Sequence, residues 1–225
     1  MKLIDYAVNT GKYNMDYDES LLDSAIESAT KEPIFRLYGW SPACISLGRN
    51  QNDSFINTDI MKKHNIDVVK RLTGGRALLH DNELTYSCIV PIENIENGQS
   101  VKESYKQISQ ILIDVFKEFD INLSFGGGEQ TINTKSDYCM LLSTGADLCY
   151  EGKKFIGSAQ CRKQGYILQH GSILLDYNDK LLYELFNEPI SESKIISLSH
   201  IRPELSLDEV IDAFKEKIRK TNYLS

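Results

Sequence analysis

A predicted β-hairpin in the second half of the chain constrains the fold more than any other segment. Residues 146–150 and 154–160 have strand character, and Glu151-Gly152 between them is typical of a turn. In the second strand, Gly157-Ser158-Ala159 follow one another, and such small residues let a substrate chain lie close to the backbone. Side chains alternate along a strand, so Lys153 and Lys154 lie on opposite faces and one of them can point into the protein.

The remaining pattern mixes helices and strands without the regular alternation of a doubly wound sheet. Helices are predicted over residues 16–30, 58–64 and 101–119, and Ser206 with Glu209 forms a capping box for a last helix. Strands are predicted over residues 34–38, 43–47, 67–70, 84–91, 121–125 and 166–176, the last interrupted at His170-Gly171. No internal repeat or low-complexity linker divides the sequence, so residues 1–225 are expected to form a single domain that combines α and β structure.

The composition argues against several classes of protein. A formal net charge of −7 disfavours nucleic acid as a partner, because phosphate binding needs a basic face. No apolar run is long enough for a transmembrane helix, and the N-terminus lacks the apolar core of a signal peptide. The five cysteines form neither a C-x-x-C pair nor an even-numbered disulfide framework, and nothing has zinc-site spacing. We expect a cytoplasmic protein that binds no metal, membrane or nucleic acid.

Cys139 is a candidate nucleophile because the residues around it are typical of a loop. A free cysteine has a pKa near 8.5 and needs a cationic neighbour to ionise at neutral pH. Lys154 could be that neighbour, since a returning hairpin can bring it alongside the thiol. A buried cysteine can also be a small hydrophobic residue, which is our interpretation of Cys44, Cys88 and Cys149. For Cys139 the residues alone leave both possibilities open.

A second segment, residues 71–87, reads RLTGGRALLHDNELTYS. Its two adjacent glycines let backbone N–H groups converge on an anion or a polarised carbonyl, and the flanking arginines can add positive charge. The segment lacks the Gly-Lys-Ser/Thr ending of a phosphate-binding P-loop. His80-Asp81 could transfer protons, but we favour a role in supporting the loop through hydrogen bonds. His170-Gly171 is interpreted as a structural kink near the same site.

Three motifs in this order resemble the lipoate/octanoate protein ligase and transferase family, which shares its catalytic fold with the biotin protein ligases. They are RLTGGRALLHDNELTYS, GKKFIGSAQ at residues 152–160 and LQHGSILLD at residues 168–176. The resemblance extends from Met15-Asp16 through Leu47-Gly48-Arg49 to Asp176. It implies the α+β fold of the biotin/lipoyl protein ligase catalytic domain, with a mixed, mostly antiparallel sheet flanked by helices.

Within that family, the chain is most similar to the cysteine-dependent octanoyltransferases and amidotransferases of Gram-positive bacteria. Arg76 stands where the ATP-dependent ligases typically have a third glycine, and Cys139 precedes the hairpin as the acyl-bearing cysteine does. The resemblance implies that Cys139 is the nucleophile and that Lys154 lowers the pKa of its thiol, although Met140 replaces the usual phenylalanine. The implied substrate-binding residues are Arg49, Arg71, Thr73, Gly74, Gly75, Arg76, His80, Gly157, Ser158, Ala159 and His170.

The implied reaction moves an octanoyl or lipoyl group to a lysine of a lipoyl-domain protein, without a cofactor. An acyl carrier protein or a lipoylated H protein would be the donor. The glycine-cleavage H protein or a dehydrogenase acyltransferase subunit would be the acceptor. Such partners are typically acidic, so the basic cluster of Lys153, Lys154, Arg162 and Lys163 could steer them. For Lys153 and Lys163 we favour the alternative that they form a solvated hairpin edge, where lysines discourage aggregation.

Two alternatives to this transferase stay open. One is an ATP- and Mg-dependent lipoate–protein ligase, in which Lys154 and Arg71 contact an acyl-adenylate and Cys139 has no chemical role. The other is a non-catalytic protein that binds lipoate or a lipoylated protein without turnover.

Overall fold

The computed structural model describes residues 1–127, 145–187, 194–220 and 222–224, and a seven-stranded sheet forms the centre of the fold. The strands within these residues are β1 (Lys2–Asn9), β2 (Ile34–Trp40), β3 (Cys44–Leu47), β4 (Asp67–Lys70), β5 (Leu78–His80), β6 (Glu83–Pro91), β7 (Ser124–Phe125), β8 (Leu148–Tyr150), β9 (Lys153–Lys163) and β10 (Tyr166–Leu174). The large sheet has the order β1-β2-β6-β10-β9-β8-β7, and among its neighbouring strands only β1 and β2 run parallel. A second sheet has the order β4-β3-β5.

Helices cover both faces of the large sheet. The α-helices within the described residues are α1 (Gly11–Glu27), α2 (Thr58–Lys63), α3 (Val101–Lys117), α4 (Asp179–Phe186), α5 (Leu198–Ile201) and α6 (Leu207–Lys220). Of these, α1, α3, α5 and α6 pack on the large sheet, whereas α2 and α4 pack with the small one. The alternation of side chains along β6 shows how the faces divide: Tyr86 and Cys88 pack with α3 and α6, whereas Ile89 packs with α1. This is the predicted α+β architecture, a mostly antiparallel sheet flanked by helices.

The small sheet packs against one end of the large one. Ile45 of β3 and Leu79 of β5 share a core cluster with Leu182 of α4 and with Leu174 at the end of β10. Beside this contact lies a cleft whose lining includes residues of both sheets, such as Leu78 of β5 and Gly171 of β10.

Local signals account for most of the element boundaries. β4 matches its predicted range, and the predicted hairpin forms through a turn in which Glu151 and Gly152 both have positive φ. The capping box of α6 also forms, because the Ser206 backbone N–H donates to Glu209 Oε2 at 2.9 Å. α1 begins at Gly11, earlier than predicted, because Thr10 is its N-cap and accepts a hydrogen bond from the Tyr13 N–H.

Four of the described elements were not predicted, namely β1, β5, α4 and α5, and the strand expected over residues 121–125 is shorter than predicted. β1 is an edge strand in which exposed and half-buried residues mix, so its sequence lacks a clear alternation of apolar residues. Among the described helices, none is both long and apolar enough to cross a lipid bilayer.

Candidate functional site

The cleft between the two sheets collects most of the predicted substrate-binding residues. It holds about 520 Å³ of space free of protein atoms, part of it open to solvent. Seven of the predicted residues line it: Arg71, Gly75, His80, Gly157, Ser158, Ala159 and His170. The remaining walls are Met15, Tyr38, Trp40, Ser46, Leu78, Thr85, Gly171 and Ser172.

Four predicted substrate-binding residues are not among the described residues that line this cleft. Arg49 and Gly74 line a neighbouring groove that lies beside the same turn. Thr73 is fully buried, and its carbonyl oxygen accepts a hydrogen bond from the Arg49 N–H at 2.9 Å. The carbonyl oxygen of Arg76 accepts one from Arg71. These residues therefore support the cleft from its outer side.

Small residues on adjacent strands form the floor of the cleft. Gly171 of β10 lies opposite Ser158 of β9 and opposite Tyr86 of β6. A Cβ atom at Gly171 would lie 2.7 Å from the Tyr86 ring and closer still to the Gly157 carbonyl oxygen, so only glycine fits. The predicted kink at His170-Gly171 is wrong, because β10 pairs with both neighbours through this point without a shift in register.

Arg71 holds the glycine turn (residues 73–76) in place. Its Nε donates to Thr73 Oγ1 at 3.1 Å, and its Nη2 donates to the carbonyl oxygens of Gly74 and Arg76 at 2.9 and 2.8 Å. Its Nη1 donates to the carbonyl oxygen of Ser46 at 2.8 Å and to Ser46 Oγ at 3.1 Å. Since a guanidinium has five N–H donors, these bonds use all of them. The sequence predicted a charged support for an anion, whereas the geometry supports the turn itself.

The loop that contains Gly48 braces the glycine turn from the other side. A Cβ atom at Gly48 would lie 2.0 Å from the Gly75 carbonyl oxygen, which explains why glycine occurs here. Gly75 itself has a φ of +94°, a conformation that favours glycine. The Leu47-Gly48-Arg49 segment therefore acts on the cleft through contact between two loops.

His80 has the predicted supporting role, but its acidic neighbour is Glu83 and not Asp81. His80 Nδ1 lies 3.3 Å from Glu83 Oε1, and its Nε2 lies 2.8 Å from Ser46 Oγ. Its ring stacks on Trp40 with the centroids 3.9 Å apart. Burial lowers the pKa of His80, and the nearby Arg71 charge acts in the same direction. The neutral imidazole is therefore the stable form at neutral pH.

A buried network behind His170 could not be found from the motifs. His170 Nε2 lies 2.7 Å from Thr73 Oγ1, and its Nδ1 lies 3.8 Å from Asp18 Oδ2, which is ion-pair distance and too long for a direct hydrogen bond. Asp18 also accepts hydrogen bonds from Arg36 Nη1 and from the Tyr38 hydroxyl, each at 2.8 Å. The sequence did contain one signal for this network: Asp18 lies four positions before the buried Leu22, which places an acidic side chain on the apolar face of α1.

Opposing effects act on the pKa of the Asp18 carboxyl. Burial raises this pKa, but the nearby His170 ring and the Arg36 guanidinium together outweigh burial and lower it. Asp18 is therefore an ionised group inside the protein.

Lys154 is buried, with an exposed fraction of 1 %, whereas Lys153 is half-buried, so the predicted alternation is confirmed. The Lys154 Nζ lies 3.2 Å from Asp147 Oδ2, and Asp147 Oδ1 accepts a hydrogen bond from the Ser158 N–H at 3.3 Å. Lys154 is thus connected to the cleft through Asp147, although it is not among the described lining residues. Cys139 lies outside the described residues, so its contact with Lys154 stays a prediction.

The other cysteines have the environments that the sequence suggested. Cys44, Cys88 and Cys149 are buried and Cys161 is half-buried. Burial raises the pKa of Cys44 and of Cys88 to about 12, so both thiols stay protonated at neutral pH.

Three members of the predicted basic cluster are engaged in contacts with other residues of the chain. Lys154 is buried beside Asp147, and Lys163 Nζ donates to Asp23 at 2.6 Å. Arg162 donates to Ser104 Oγ at 2.6 Å. These contacts reduce the positive charge that the hairpin can present to a partner.

Comparisons with known proteins agree with this architecture. The lipoyl protein ligase A/B catalytic domain family matches residues 10–219. Octanoyltransferase LipM of Halalkalibacterium halodurans is 36% identical over 237 residues, covering 97% of this chain and 86% of the relative. Octanoyltransferase LipM of Bacillus subtilis is 36% identical over 233 residues, covering 96% and 84%.

Solved structures share the fold at lower identity. Protein Ta0514 of T. acidophilum with bound lipoic acid superposes with a TM-score of 0.78 at 18% identity, covering 97% of this chain and 84% of that chain. Lipoate-protein ligase A bound with ATP superposes with a TM-score of 0.75 at 19% identity, with the same coverage. The family match over most of the chain, together with relatives of this identity, shows that the chain belongs to the lipoyl protein ligase A/B catalytic domain family.

Proposed function

We propose that this protein is an octanoyltransferase that moves an octanoyl group to a lysine of a lipoyl-domain protein through a thioester on Cys139. One observation carries the proposal: relatives at 36% identity that align along nearly the whole chain are octanoyltransferases. A lipoyl group is proposed as a second substrate, because like the octanoyl group it has an eight-carbon chain with a carbonyl at its end.

The proposed reaction has two acyl-transfer steps. In the first, the Cys139 thiolate attacks the carbonyl carbon of an acyl thioester, a C–S bond forms, and the donor thiolate leaves and takes up a proton. In the second, the amine of the acceptor lysine attacks the acyl-enzyme, an amide forms, and the Cys139 sulfur leaves. No oxidant, metal or nucleotide is needed, since a thioester is already activated.

The cleft suits the proposed acyl chain. Tyr38, Trp40, Leu78 and Met15 are apolar walls, and Gly157 leaves space above the floor. Six methylene groups at about 0.8 kcal/mol each would contribute about 5 kcal/mol to binding. Gly75 lies at the cleft where the glycine turn can orient the carbonyl, which is the role that we propose for this turn.

Lys154 is proposed to stabilise the Cys139 thiolate and to exchange protons during the two steps. Its burial beside Asp147 supports a fixed ammonium group, because a buried pair with a 3.2 Å separation holds its geometry. A thiolate intermediate needs a reduced cysteine, which supports the reducing cytoplasm as the site of the reaction.

The ligase alternative has less support from the site. It would use Arg71 to contact an acyl-adenylate, but the five N–H donors of Arg71 already bond to the glycine turn and to Ser46. The likeness to ligase structures is below 25% identity and concerns the fold alone.

The decisive experiment is an intact-mass measurement after incubation with octanoyl-acyl carrier protein in the absence of ATP. An adduct of octanoyl mass that hydroxylamine removes is expected, and it should disappear in Cys139→Ser. Cys161→Ser is the matched control, because Cys161 is half-buried and should not carry the acyl group.

Other outcomes separate the alternatives. ATP-dependent lipoylation that survives Cys139→Ser would overturn the transferase proposal in favour of a ligase. Neither adduct nor product under any condition would point to a protein that only binds. Comparing octanoyl-acyl carrier protein with lipoylated H protein as donors, and H protein with a dehydrogenase acyltransferase subunit as acceptors, then identifies the proposed partners.

A further inference from the structure

Two histidines of the cleft occupy matching positions in one buried network. His80 lies between Glu83, at 3.3 Å, and the Ser46 hydroxyl, at 2.8 Å. His170 lies between Asp18, at 3.8 Å, and the Thr73 hydroxyl, at 2.7 Å. In both cases Nδ1 faces the carboxylate and Nε2 faces the hydroxyl.

Arg71 joins the two halves of this network. Its Nη1 donates to Ser46 Oγ and its Nε donates to Thr73 Oγ1, each at 3.1 Å. The order of groups is therefore carboxylate, imidazole, hydroxyl, guanidinium, hydroxyl, imidazole, carboxylate. The inner contacts are hydrogen bonds, whereas the two outer contacts, between each carboxylate and an Nδ1, are at ion-pair distance. The Nη2 atom of Arg71 donates to the carbonyl oxygens of Gly74 and Arg76, so the network also holds the glycine turn.

Counting donors assigns the protons in this path. An arginine can only donate, so the Ser46 and Thr73 hydroxyls accept from Arg71. Each hydroxyl then has one O–H to donate, and the imidazole Nε2 beside it is the nearby acceptor. An Nε2 that accepts carries no proton, which places the proton of each neutral ring on Nδ1, towards the carboxylate.

Charge supports the same assignment. An imidazolium at His80 would add a positive charge to a buried cluster that already contains the Arg71 guanidinium, and burial and the Arg71 charge both act to lower the pKa of His80. The carboxylates face the ring nitrogens that carry the protons, and Asp18 stays ionised beside the Arg36 guanidinium, which donates to it at 2.8 Å.

We propose that Asp18 and Glu83 are positioning residues that hold His170 and His80 as neutral Nδ1–H tautomers, and so orient Arg71 and the glycine turn. The catalytic part of this inference rests on the proposed acyl transfer, since the turn is proposed to orient the acyl carbonyl. The tautomer assignment stands without it. A reversed tautomer would place an N–H against each hydroxyl, and the hydroxyl's own O–H would then lose its acceptor.

The assignment can be read from the ¹⁵N spectrum of histidine-labelled protein at pH 7. The chain has four histidines, and His64 is an exposed reference outside the network. His80 and His170 are expected to show the Nδ1–H pattern, whereas His64 is expected to show the Nε2–H form usual for an exposed imidazole. An Nε2–H or a charged ring at His80 or His170 in the wild-type protein overturns the proposal.

Asp18→Asn tests the link between carboxylate and tautomer. The oxygen that faces Arg36 must stay an acceptor, so the new amide NH₂ takes the position that faces His170 and Tyr38. A donor facing Nδ1 should shift His170 to Nε2–H and leave His80 unchanged. Glu83→Met should raise the Nε2–H share at His80 alone, so each histidine is the control for the other.

The kinetic readout separates positioning from a general loss of stability. Asp18→Asn is expected to lower kcat for octanoyl transfer at least tenfold while KM for the donor changes less than about threefold. Ser87→Ala is the matched control, because Ser87 donates to the other oxygen of Asp18 at 3.0 Å and does not contact His170. It should retain both the His170 tautomer and kcat.

Each remaining outcome is also informative. An altered His170 tautomer with unchanged kcat overturns the positioning role. If Asp18→Asn does not fold, the wild-type spectrum and Glu83→Met decide the question. A wild-type protein with the expected tautomers but no transferase activity would refute the proposed function and leave the tautomer assignment intact.

Discussion

Replacement of Gly48 by alanine is expected to disable the cleft without unfolding the protein. The added Cβ would lie 2.0 Å from the Gly75 carbonyl oxygen, whereas ordinary contact begins at 3.4 Å, so one loop must move by about 1.4 Å. Gly48 has no left-handed φ, so alanine is strained here only by this clash. Because Gly75 lines the cleft, the displacement reaches the acyl carbonyl directly.

The expected loss of folding free energy in Gly48→Ala is too small to account for the expected loss of activity. Overpacking of this kind costs about 1–3 kcal/mol of folding free energy. Even a protein of about 5 kcal/mol stability would keep about 2 kcal/mol and stay more than about 95% folded. A misplacement of about 1 Å can reduce a rate about 100-fold. Loss of folded protein therefore cannot explain the expected fall in kcat/KM of about 100-fold.

The assay is octanoyl transfer to a lipoyl-domain acceptor, with circular dichroism and thermal unfolding measured on the same samples. Gly74→Ala is the matched control in the same turn, because a Cβ atom there meets no other atom within 4 Å. It should retain kcat/KM within about threefold. Activity in Gly48→Ala close to wild type, or equal damage in Gly74→Ala, would refute the reasoning about loop contact.

Three further predictions concern charge and capping. Lys154→Met should shift the pH dependence of Cys139 alkylation by iodoacetamide to higher pH. Adding Asp147→Asn to this variant should recover the thermal stability lost with Lys154, but it should not restore the original pH dependence. An unchanged alkylation profile in Lys154→Met would exclude the role of Lys154. Because the pKa of His80 is lowered in the folded state, the unfolded state binds more protons below about pH 6.5. The free energy of unfolding should therefore fall as the pH is lowered from 7.5 to 5.5, by up to about 1.4 kcal/mol per pH unit. Urea denaturation at several pH values should show a weaker dependence of this free energy on pH in His80→Gln. Ser206→Ala should lower Tm by about 2–4 °C, since it removes the N-cap of α6, and should leave octanoyl transfer unchanged.

Much of the secondary structure could be predicted because its signals are local. The apolar period of α3 and the turn residues of the β8–β9 hairpin act over a few positions, and both elements form where the pattern places them. β1 was missed because an edge strand with mixed burial gains its order from pairing with β2. Its sequence has no alternation strong enough to identify it.

The site divides in the same way. The glycines at positions 75 and 171 could be singled out, because glycine marks places where the backbone needs room or positive φ. The contacts of these glycines could not be predicted. At Gly171, where a kink was predicted, neighbouring strands approach closely and pair without a shift in register. Arg71 was selected correctly as a cleft residue, but its role in holding the turn depends on Ser46, which comes from another strand.

The sequence by itself determined the α+β class, most of the long helices and strands, the family and the residue types available in the cleft. Only the tertiary structure decided that Asp18 faces His170 and that Arg71 bonds to Ser46, because these pairs depend on which surfaces are buried together. Burial also decides the charge of each group: a carboxylate or imidazole out of water keeps the protonation state that its neighbours stabilise. Local sequence carries no information about those neighbours when they are 152 positions away.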